Sequence, residues 1–572
     1  VKKIALILSL LFLFASCTSN APTENTAAPS ATPPPPESAA TSEPTPEKVE
    51  VNMSELEILD NIHINQLGYR PDSPKQAVIP DNASEFSLCR ADDNSIVYSG
   101  IASDSLTSEA ADETVRIADF SDFTQNGEYY IYAGEGRSYS FQINENPYGG
   151  LRKAILDFFH YQKCGMELDA GVWSHPECHA TTARAYDING DLTEDWKDVT
   201  GGWHDAGDYG RYIVPAAQTV AQLLLGYEMS NNPDSELLDI VWFEIEWMLK
   251  MQDEATGGVY HKVTCRSFPP LDIMPQSETD TLYLSPMSVA ATGDFAASMA
   301  LASRFYPEQK DTLLAAARRA WDWLQKNPDL PSFKNPRLVV TGEYGDDTTD
   351  DERFWAACEL FAATGEEKFH DYIKSDDLYA GLGWKHMGTY GLIAYLFNAG
   401  DNADPELTER MKAKLQAVCD DIMAKYSSEP YGVSLGTDYD WGSNMEVGNN
   451  AMTLLIGDML LGNTAGYTEA ALDHMNYLLG KNALSQSYIT GFGSKASAWP
   501  HHRPSVTTRQ TVPGMVVGGP NSRVDDDPTL KRYCDGQPPM KCYVDHIDSY
   551  ASNEITIYWN SPVYFVLAVL GL

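Results

Sequence analysis

The chain has 572 residues, with 40 Lys and Arg set against 81 Asp and Glu, a formal charge of −41. That balance excludes a nucleic-acid partner and an electrostatic grip on anionic lipid, and it suits a soluble protein working as a monomer on a neutral substrate. The length fits one large helical domain beside a smaller one, with enough apolar residues for a sizeable core.

Residues 1–17 read as an export signal. Lys2 and Lys3 precede an apolar run, Ile4 to Phe14, too short to span a bilayer. The run ends in Phe14-Ala15-Ser16-Cys17, which resembles a bacterial lipoprotein cleavage box. Lipidation of Cys17 would tether the protein to a membrane surface, periplasmic or at the cell exterior; ordinary cleavage near Ala15 is the alternative. Residues 18–57 are dominated by Pro, Ser, Thr, Ala and Glu, a composition that buries no core and acts as an extended spacer.

From 58 to 146, short alternating runs are separated by turn residues, among them Gln76–Ile79, Phe86–Cys89, Glu128–Tyr132 and Tyr139–Ile143. That period predicts a small all-β sandwich, to which no chemistry is assigned. From 147 to 572 the period is helical. It predicts helices over Leu151–Tyr161, Ile213–Met229, Ser235–Met251, Pro286–Tyr306, Thr312–Gln325, Asp351–Ala363 and Gly388–Asn398. Others are expected over Glu406–Lys425, Met445–Leu461, Thr468–Leu479 and Glu554–Leu570, with a weaker one at Glu366–Ile373. About a dozen paired helices with long Gly- and Pro-containing loops suggest a mainly α toroid with functional loops at one end.

The richest loop is Gly201–Tyr212, GGWHDAGDYGRY. Asp205 and Asp208 stand three apart among small residues that let both acids face one space. One carboxylate can hold a water while the other accepts its proton. Trp203 and Tyr209 offer flat faces suited to sugar rings. An Asp-rich turn capping the next helix is the plainer reading. Cys164, Cys178, His179 and His204 make a complete tetrahedral zinc set of the closed, structural kind, with His204 bracing Asp205. A Cys164–Cys178 disulfide is the competing account, and His175 could replace one ligand. Calcium is a further expectation, at the oxygen-rich loop Gly345–Glu352 or the run Asp525–Asp527, both of which also read as solvated acidic turns. Cys534 and Cys542 could pair. Trp242, Trp247, Trp321 and Trp323 fall within helical periods and read as core.

Ser487–Arg503 (SYITGFGSKASAWPHHR) resembles the histidine signature of glycoside hydrolase family nine, the cellulase family E. Tyr543–Ser561 (YVDHIDSYASNEITIYWNS) resembles its acidic signature, and the Asp205–Asp208 segment its DAGD motif. Ile62–Tyr69 (IHINQLGY) is similar to the start of the immunoglobulin-like module often fused ahead of that domain. The resemblance implies an (α/α)6 barrel, preceded by an immunoglobulin-like sandwich, that cuts β-1,4-glucosidic bonds with inversion. It implies Asp208 as general base, Asp205 as co-holder of the water and Glu554 as general acid, with His501 and Arg503 at the cleaved bond. Several family members carry a similar zinc site, and calcium in the region of the acidic loop. Glycoside cleavage needs a protonated and an ionised carboxyl across a sugar. Asp205 and Asp208 are too close in sequence for that, so the partner is a distant acid. Glu554, at the start of an apolar helix, suits a raised pKa, although a first-turn glutamate favoured by the helix dipole is the rival. Trp441 is a candidate sugar platform or ordinary helix-start packing, and Tyr550 a further sugar contact. The expected activity is an endo-β-1,4-glucanase on cellulose-like or mixed-linkage glucans. The alternatives are an exo-acting cellobiohydrolase or cellodextrinase and a catalytically silent glucan-binding surface protein.

Overall fold

Alternating apolar residues in the first described segment close a two-sheet sandwich. A computed structural model describes residues 56–375, 377–462 and 466–572; the signal segment and nearly all of the linker lie outside them. One sheet runs in the order Gly68–Tyr69, Phe141–Ile143, Gly127–Ala133, Glu85–Arg90, Ile96–Ile101, with Gly136–Arg137 also paired to Gly127–Ala133. The second joins Gln76–Pro80, Glu113–Asp119 and Leu106–Ser108. Phe86, Leu88, Phe120, Ile131 and Phe141 fill the space between. The Ile62–Asn65 stretch makes only an isolated bridge, His63 to Val78, because its polar side chains turn to the helical domain instead. His63 Nδ1 meets Ser485 Oγ at 2.8 Å, and Asn65 Nδ2 donates to Asn476 Oδ1 at 2.9 Å. Gln66 donates to the Ser485 carbonyl at 2.6 Å and accepts from the Lys495 amide at 2.8 Å. The sandwich thus fixes the loop that leads to His501.

The helical domain starts with α1 (Leu151–Tyr161), α2 (Ile213–Met229), α3 (Leu237–Lys250), α4 (Val289–Ala302), α5 (Lys310–Lys326) and α6 (Asp350–Thr364). It continues with α7 (Glu367–Ser375), α8 (Gly388–Asn398), α9 (Pro405–Ser428), α10 (Ser443–Leu461) and α11 (Tyr467–Leu478). The short α12 (Arg503–Thr508), α13 (Pro528–Cys534) and α14 (Tyr550–Asn553) precede α15 (Ile557–Leu570). Helices buried all round must be internal, and amphipathic ones external. Every residue of α4 is buried, whereas α5 buries only one stripe, including Leu313, Ala317, Trp321 and Leu324. The inner helices touch in a closed ring, α2–α4–α6–α8–α10–α15 and back to α2, with α1, α3, α5, α7, α9 and α11 outside. Twelve helices in two rings are the (α/α)6 barrel. Polar side chains lock neighbours inside it: Gln222 of α2 donates to Asn449 of α10 at 2.8 Å and accepts from Ser561 of α15 at 2.5 Å.

The long helices begin and end within a few residues of the expected positions, with one consequential exception. Glu554 does not open the last helix. It sits in extended backbone after α14 (φ −71°, ψ 168°), and α15 starts at Ile557 with the Thr556 hydroxyl capping the Trp559 amide. The helix-dipole explanation for this glutamate therefore falls away. Five short strands in this domain were also not foreseen. Leu192–Asp198, Thr182–Tyr186, Tyr283–Leu284, Lys262–Thr264 and Arg211–Tyr212 form one sheet beside the site. Three of them are two or three residues long, too short to leave a period, and Leu192–Asp198 is largely exposed on both faces, with no apolar alternation to read.

Candidate active site

The segments that enter α2, α6, α10 and α15 converge at one end of the ring. The Asp205–Asp208 loop is pinned to the last of them by backbone bonds. Ala206 bridges Thr556, and the Ile557 amide donates to the Asp205 carbonyl at 2.8 Å. Gly207 packs so closely on the histidine segment that an added Cβ would stand 1.9 Å from the His501 carbonyl oxygen. Glu554 is held from both sides, by a parallel bridge to His501 and by the Gly518 amide on its carbonyl at 3.0 Å. Residues nearly 350 positions apart therefore meet in one small volume.

Asp205 and Asp208 are 1% and 6% exposed, and Glu554 is half-buried. The three environments differ. Burial lifts the Asp208 carboxyl, but the Arg503 guanidinium and the Gly210 amide, 2.9 Å from Oδ2, pull it back. Burial lifts Asp205 well above the usual range, opposed by the Tyr344 hydroxyl donating to Oδ2 at 2.5 Å and reinforced by the Asp208 charge. Asp205 Oδ1 has no hydrogen-bond partner among the described residues. Burial also drives Glu554 well up; the charges of Asp208 and Asp205 add to that, and Arg503 and the Gly207 amide resist. Three close carboxyls cannot all ionise together. The one best equipped to hold a negative charge is Asp208, and Glu554 is set to keep its proton.

Arg503 is buried and spends its donors on backbone, Nη1 on the Gly207 carbonyl at 2.7 Å and Nη2 on the Pro269 carbonyl at 2.9 Å. It therefore shapes and charges the site, anchored by these backbone bonds. His501 Nδ1 faces the Ile547 carbonyl at 2.6 Å, so that nitrogen carries the proton. Burial lowers its pKa to about 4, leaving a neutral ring whose Nε2 is an acceptor. Tyr550 lies 6.0 Å from that ring and 5.6 Å from Trp441, which is 42% exposed, an aromatic ledge of the kind a sugar ring stacks on.

Two expected sugar contacts are corrected. Trp203 is 1% exposed and packs on Phe159 at 5.1 Å, inside the core. Tyr209 is 3% exposed, donates its hydroxyl to the Ile273 carbonyl at 2.6 Å and packs on His204 at 4.9 Å. Both residues support the loop from behind, because the carboxylates take its open side. Tyr344 and Tyr558 were missed. They touch through their hydroxyls at 3.2 Å, and Tyr344 is the partner of Asp205. Tyr344 immediately precedes the acidic loop, but a lone tyrosine carries no pattern.

Cys164, Cys178, His179 and His204 come together, all buried, with ligand atoms within 4.8 Å of one another. Cys164 Sγ is 3.6 Å from His179 Nδ1 and 4.0 Å from Cys178 Sγ, which is 3.9 Å from His204 Nε2. The edges of a tetrahedral zinc site with two sulfurs and two nitrogens are roughly 3.3–3.8 Å, so the set fits a metal. The two cysteines are free, which excludes the disulfide account. His175 stands apart, with Nδ1 on the Pro176 carbonyl. Glu278 meets His179 Nε2 at 3.0 Å, the carboxylate that orients a ligating imidazole. Cys164 is tied to the catalytic loop by its amide on the Gly202 carbonyl at 2.8 Å.

In the acidic loop, Asp346, Asp351 and Glu352 are buried and are joined by Asp294 of α4. Both oxygens of Asp294, both of Glu352 and Oδ2 of Asp346 lack hydrogen-bond partners among the described residues. Burial and mutual repulsion push Asp294 and Glu352 well up, an electrostatic cost that a cation among them would relieve. The run Asp525–Asp527 is occupied structurally: Asp525 pairs with Lys531, Asp526 accepts from Asn521, and Asp527 caps α13. Cys534 and Cys542 are free and buried.

Residues 148–567 match the family described as glycosyl hydrolase family 9, and residues 59–138 match the cellulase N-terminal ig-like domain. A cellodextrinase of Butyrivibrio fibrisolvens is 35% identical over 89% of this chain and 99% of its own length. Among solved structures, a single mutant of a thermostable endoglucanase from Alicyclobacillus acidocaldarius is 36% identical. It covers 90% of this chain and 99% of its own, with a TM-score of 0.84. A Zn-binding triple mutant of the family 9 endoglucanase J30 is 32% identical over 87% of this chain and 99% of its own, with a TM-score of 0.81. With the ring of helices, the paired aspartates and the distant glutamate in place, the chain belongs to glycosyl hydrolase family 9, carrying an immunoglobulin-like domain ahead of its catalytic barrel.

Proposed function

We propose that the protein is an inverting endo-β-1,4-glucanase acting as a monomer on cellulose-like or mixed-linkage glucans. The observation that carries this reading is the asymmetry of the three carboxyls. Asp208 is supported as an anion by Arg503 and the Gly210 amide, while Glu554 is driven toward its acid form. Asp208 takes a proton from a water that Asp205 helps to hold, and the oxygen of that water attacks the anomeric carbon. Glu554 protonates the departing glycosidic oxygen. Tyr344 donates to one oxygen of Asp205 and leaves the other free for the water. His501 Nε2 accepts from a sugar hydroxyl, and Trp441 with Tyr550 supports a ring. The test is NMR of fresh product: the α-anomer appears first and mutarotates, and a β-anomer first overturns the single displacement. A rapid viscosity drop on a soluble β-1,4-glucan separates endo action from the exo-acting, oligosaccharide-trimming alternative. The intact carboxyl triad speaks against a silent glucan-binding protein.

Zinc is the metal proposed for the Cys164–Cys178–His179–His204 cluster, supported by its two thiols, two imidazoles and tetrahedral spacing. In that closed set it would brace the loop and take no part in the reaction. The protein is expected to carry about one zinc per chain. Chelation should lower Tm at concentrations that leave initial rates nearly intact, and a metal analysis without zinc would count against the assignment. A hard cation, calcium, is proposed at the unpartnered oxygens of Asp294, Asp346 and Glu352.

The protein is further proposed to be a bacterial lipoprotein anchored through Cys17, supported by the Phe14–Cys17 sequence and the polar spacer after it. Full-length protein should partition with membranes, Cys17→Ser should release it, and specific activity on soluble substrate should be equal in both. A mutant that still sediments with membranes removes the anchor.

A further inference from the structure

Lys262 is wholly buried, 0% exposed, on the short strand Lys262–Thr264. That strand runs antiparallel to Arg211–Tyr212, the end of the catalytic loop, with Lys262 directly opposite Tyr212. Opposed residues in such a pair share one face, and the ammonium lies 5.4 Å from the centre of the Tyr212 ring. Its three N–H groups meet three acceptors, all on the neighbouring segment. These are Thr341 Oγ1 at 2.9 Å, the Thr341 carbonyl at 3.3 Å and the Gly342 carbonyl at 2.5 Å. None is a carboxylate. A buried ammonium without a contacting counter-ion is costly, and burial draws its pKa down to about 7 against the pull of Asp208 and Glu343. A methionine of similar length would fill the same space and remove the charge, but it would leave the Gly342 carbonyl without this donor and the segment without its clamp.

The segment it grips ends in Tyr344, whose hydroxyl donates to Asp205 Oδ2 at 2.5 Å. The same segment is held from beside Lys262 by His261, whose Nε2 meets the Glu343 carbonyl at 2.9 Å and whose ring stacks on Phe333 at 3.7 Å. Thr264 completes the seam, its hydroxyl 2.9 Å from that of Thr341. Tyr212 closes the circuit with its ring edge-on to Tyr344 at 4.9 Å. The route from Lys262 to the water-holding aspartate is thus two residues of backbone and one hydroxyl.

We propose that Lys262 is a positioning residue for the base side of the reaction: its ammonium clamps the Thr341–Gly342 backbone and so holds the Tyr344 hydroxyl on Asp205. The inference rests on the assignment of Asp205 and Asp208 to the attacking water. The clamp acts on kcat, because it orders the carboxylate that positions the nucleophile, and leaves substrate affinity alone.

The test uses the full chain with a soluble β-1,4-glucan and with β-cellobiosyl fluoride, whose fluoride departs without a proton from the acid. Lys262→Met is expected to lower kcat about 10- to 100-fold on both substrates, with KM changed less than about threefold. Placed on Tyr344→Phe, the same substitution should cost less than a further threefold or so, since both act through one contact. Thr341→Val removes the hydroxyl that meets both Lys262 and Thr264, with little change of shape. It keeps the question open to test if Lys262→Met unfolds, and it should give a several-fold loss that likewise disappears in Tyr344→Phe. Losses that multiply in the double variants, or a raised KM with kcat intact, overturn the inference. Asp205→Asn is run alongside. If it keeps wild-type rates on the fluoride, the base-side assignment itself fails and takes the clamp with it. If Asp205→Asn collapses while Lys262→Met and Thr341→Val do not, the clamp alone is wrong.

Discussion

Asp208→Asn should lower kcat on a soluble β-1,4-glucan by about 10³- to 10⁴-fold, or about 4–5.5 kcal/mol of transition-state stabilisation. The substitution keeps the shape of the side chain. An amide oxygen can still accept from the Gly210 amide, which lies 2.9 Å from the carboxylate today. What disappears is the basic oxygen that takes the proton from water. KM should stay within a few-fold, since the sugar contacts proposed at Trp441, Tyr550 and His501 are untouched, and Tm should hold or rise because a buried charge is removed. Neither neighbour can substitute. Asp205 is driven further toward its acid form and is held by Tyr344, and Glu554 is needed as the proton donor. A loss of less than about tenfold would move the base to another residue. Azide supplied as an external nucleophile should restore turnover in Asp208→Asn with formation of an α-glycosyl azide, a product not expected from the wild type.

Most of the barrel was legible because its outer helices carry a single apolar stripe and inner ones such as α2, α4 and α8 are predominantly apolar. Leu151–Tyr161, Ile213–Met229 and Gly388–Asn398 fall where the period puts them. The site was legible where several chemical groups recur at fixed spacing, as in Gly201–Tyr212 and the Cys–His set. Two kinds of information were not. The first is which face of a loop is open. Trp203 and Tyr209 flank the acids in sequence, yet they turn inward against Phe159 and the Ile273 carbonyl. Alternation along a loop does not say which side the carboxylates claim. The second is contact through isolated residues. Tyr344, Lys262, Glu278 and Asp294 reach the site or the proposed metal sites from separate segments, each as a single side chain with no motif around it. Glu554 combines both cases: its motif identified the residue, but the break between α14 and α15 that aims it depends on backbone bonds to His501 and Gly518, remote in sequence.

Glu554→Gln should show a loss that depends on the leaving group. On unactivated glucan the glycosidic oxygen leaves as an alkoxide unless protonated, and the variant should lose about 10³-fold or more in kcat. On β-cellobiosyl fluoride the leaving group needs no proton, and the same variant should retain rates within about tenfold of the wild type. Asp208→Asn should remain impaired on both, because water must be activated whatever departs. The pH profile gives a second, independent reading. In the wild type, kcat/KM rises as Asp208 loses its proton and falls as Glu554 loses its own. Both carboxyls sit above their ordinary values. Burial heads the causes for each, and Asp208 carries the stronger support for its charge through Arg503 and the Gly210 amide. Glu554 faces two negative neighbours and is therefore the later of the two to ionise. The active window lies between them. Glutamine at 554 has nothing to lose at high pH, so its fluoride profile should keep the acid limb of Asp208 and drop the alkaline limb. A profile that instead drops the acid limb would exchange the roles of the two residues, and equal impairment on both substrates would make Glu554 a binding group.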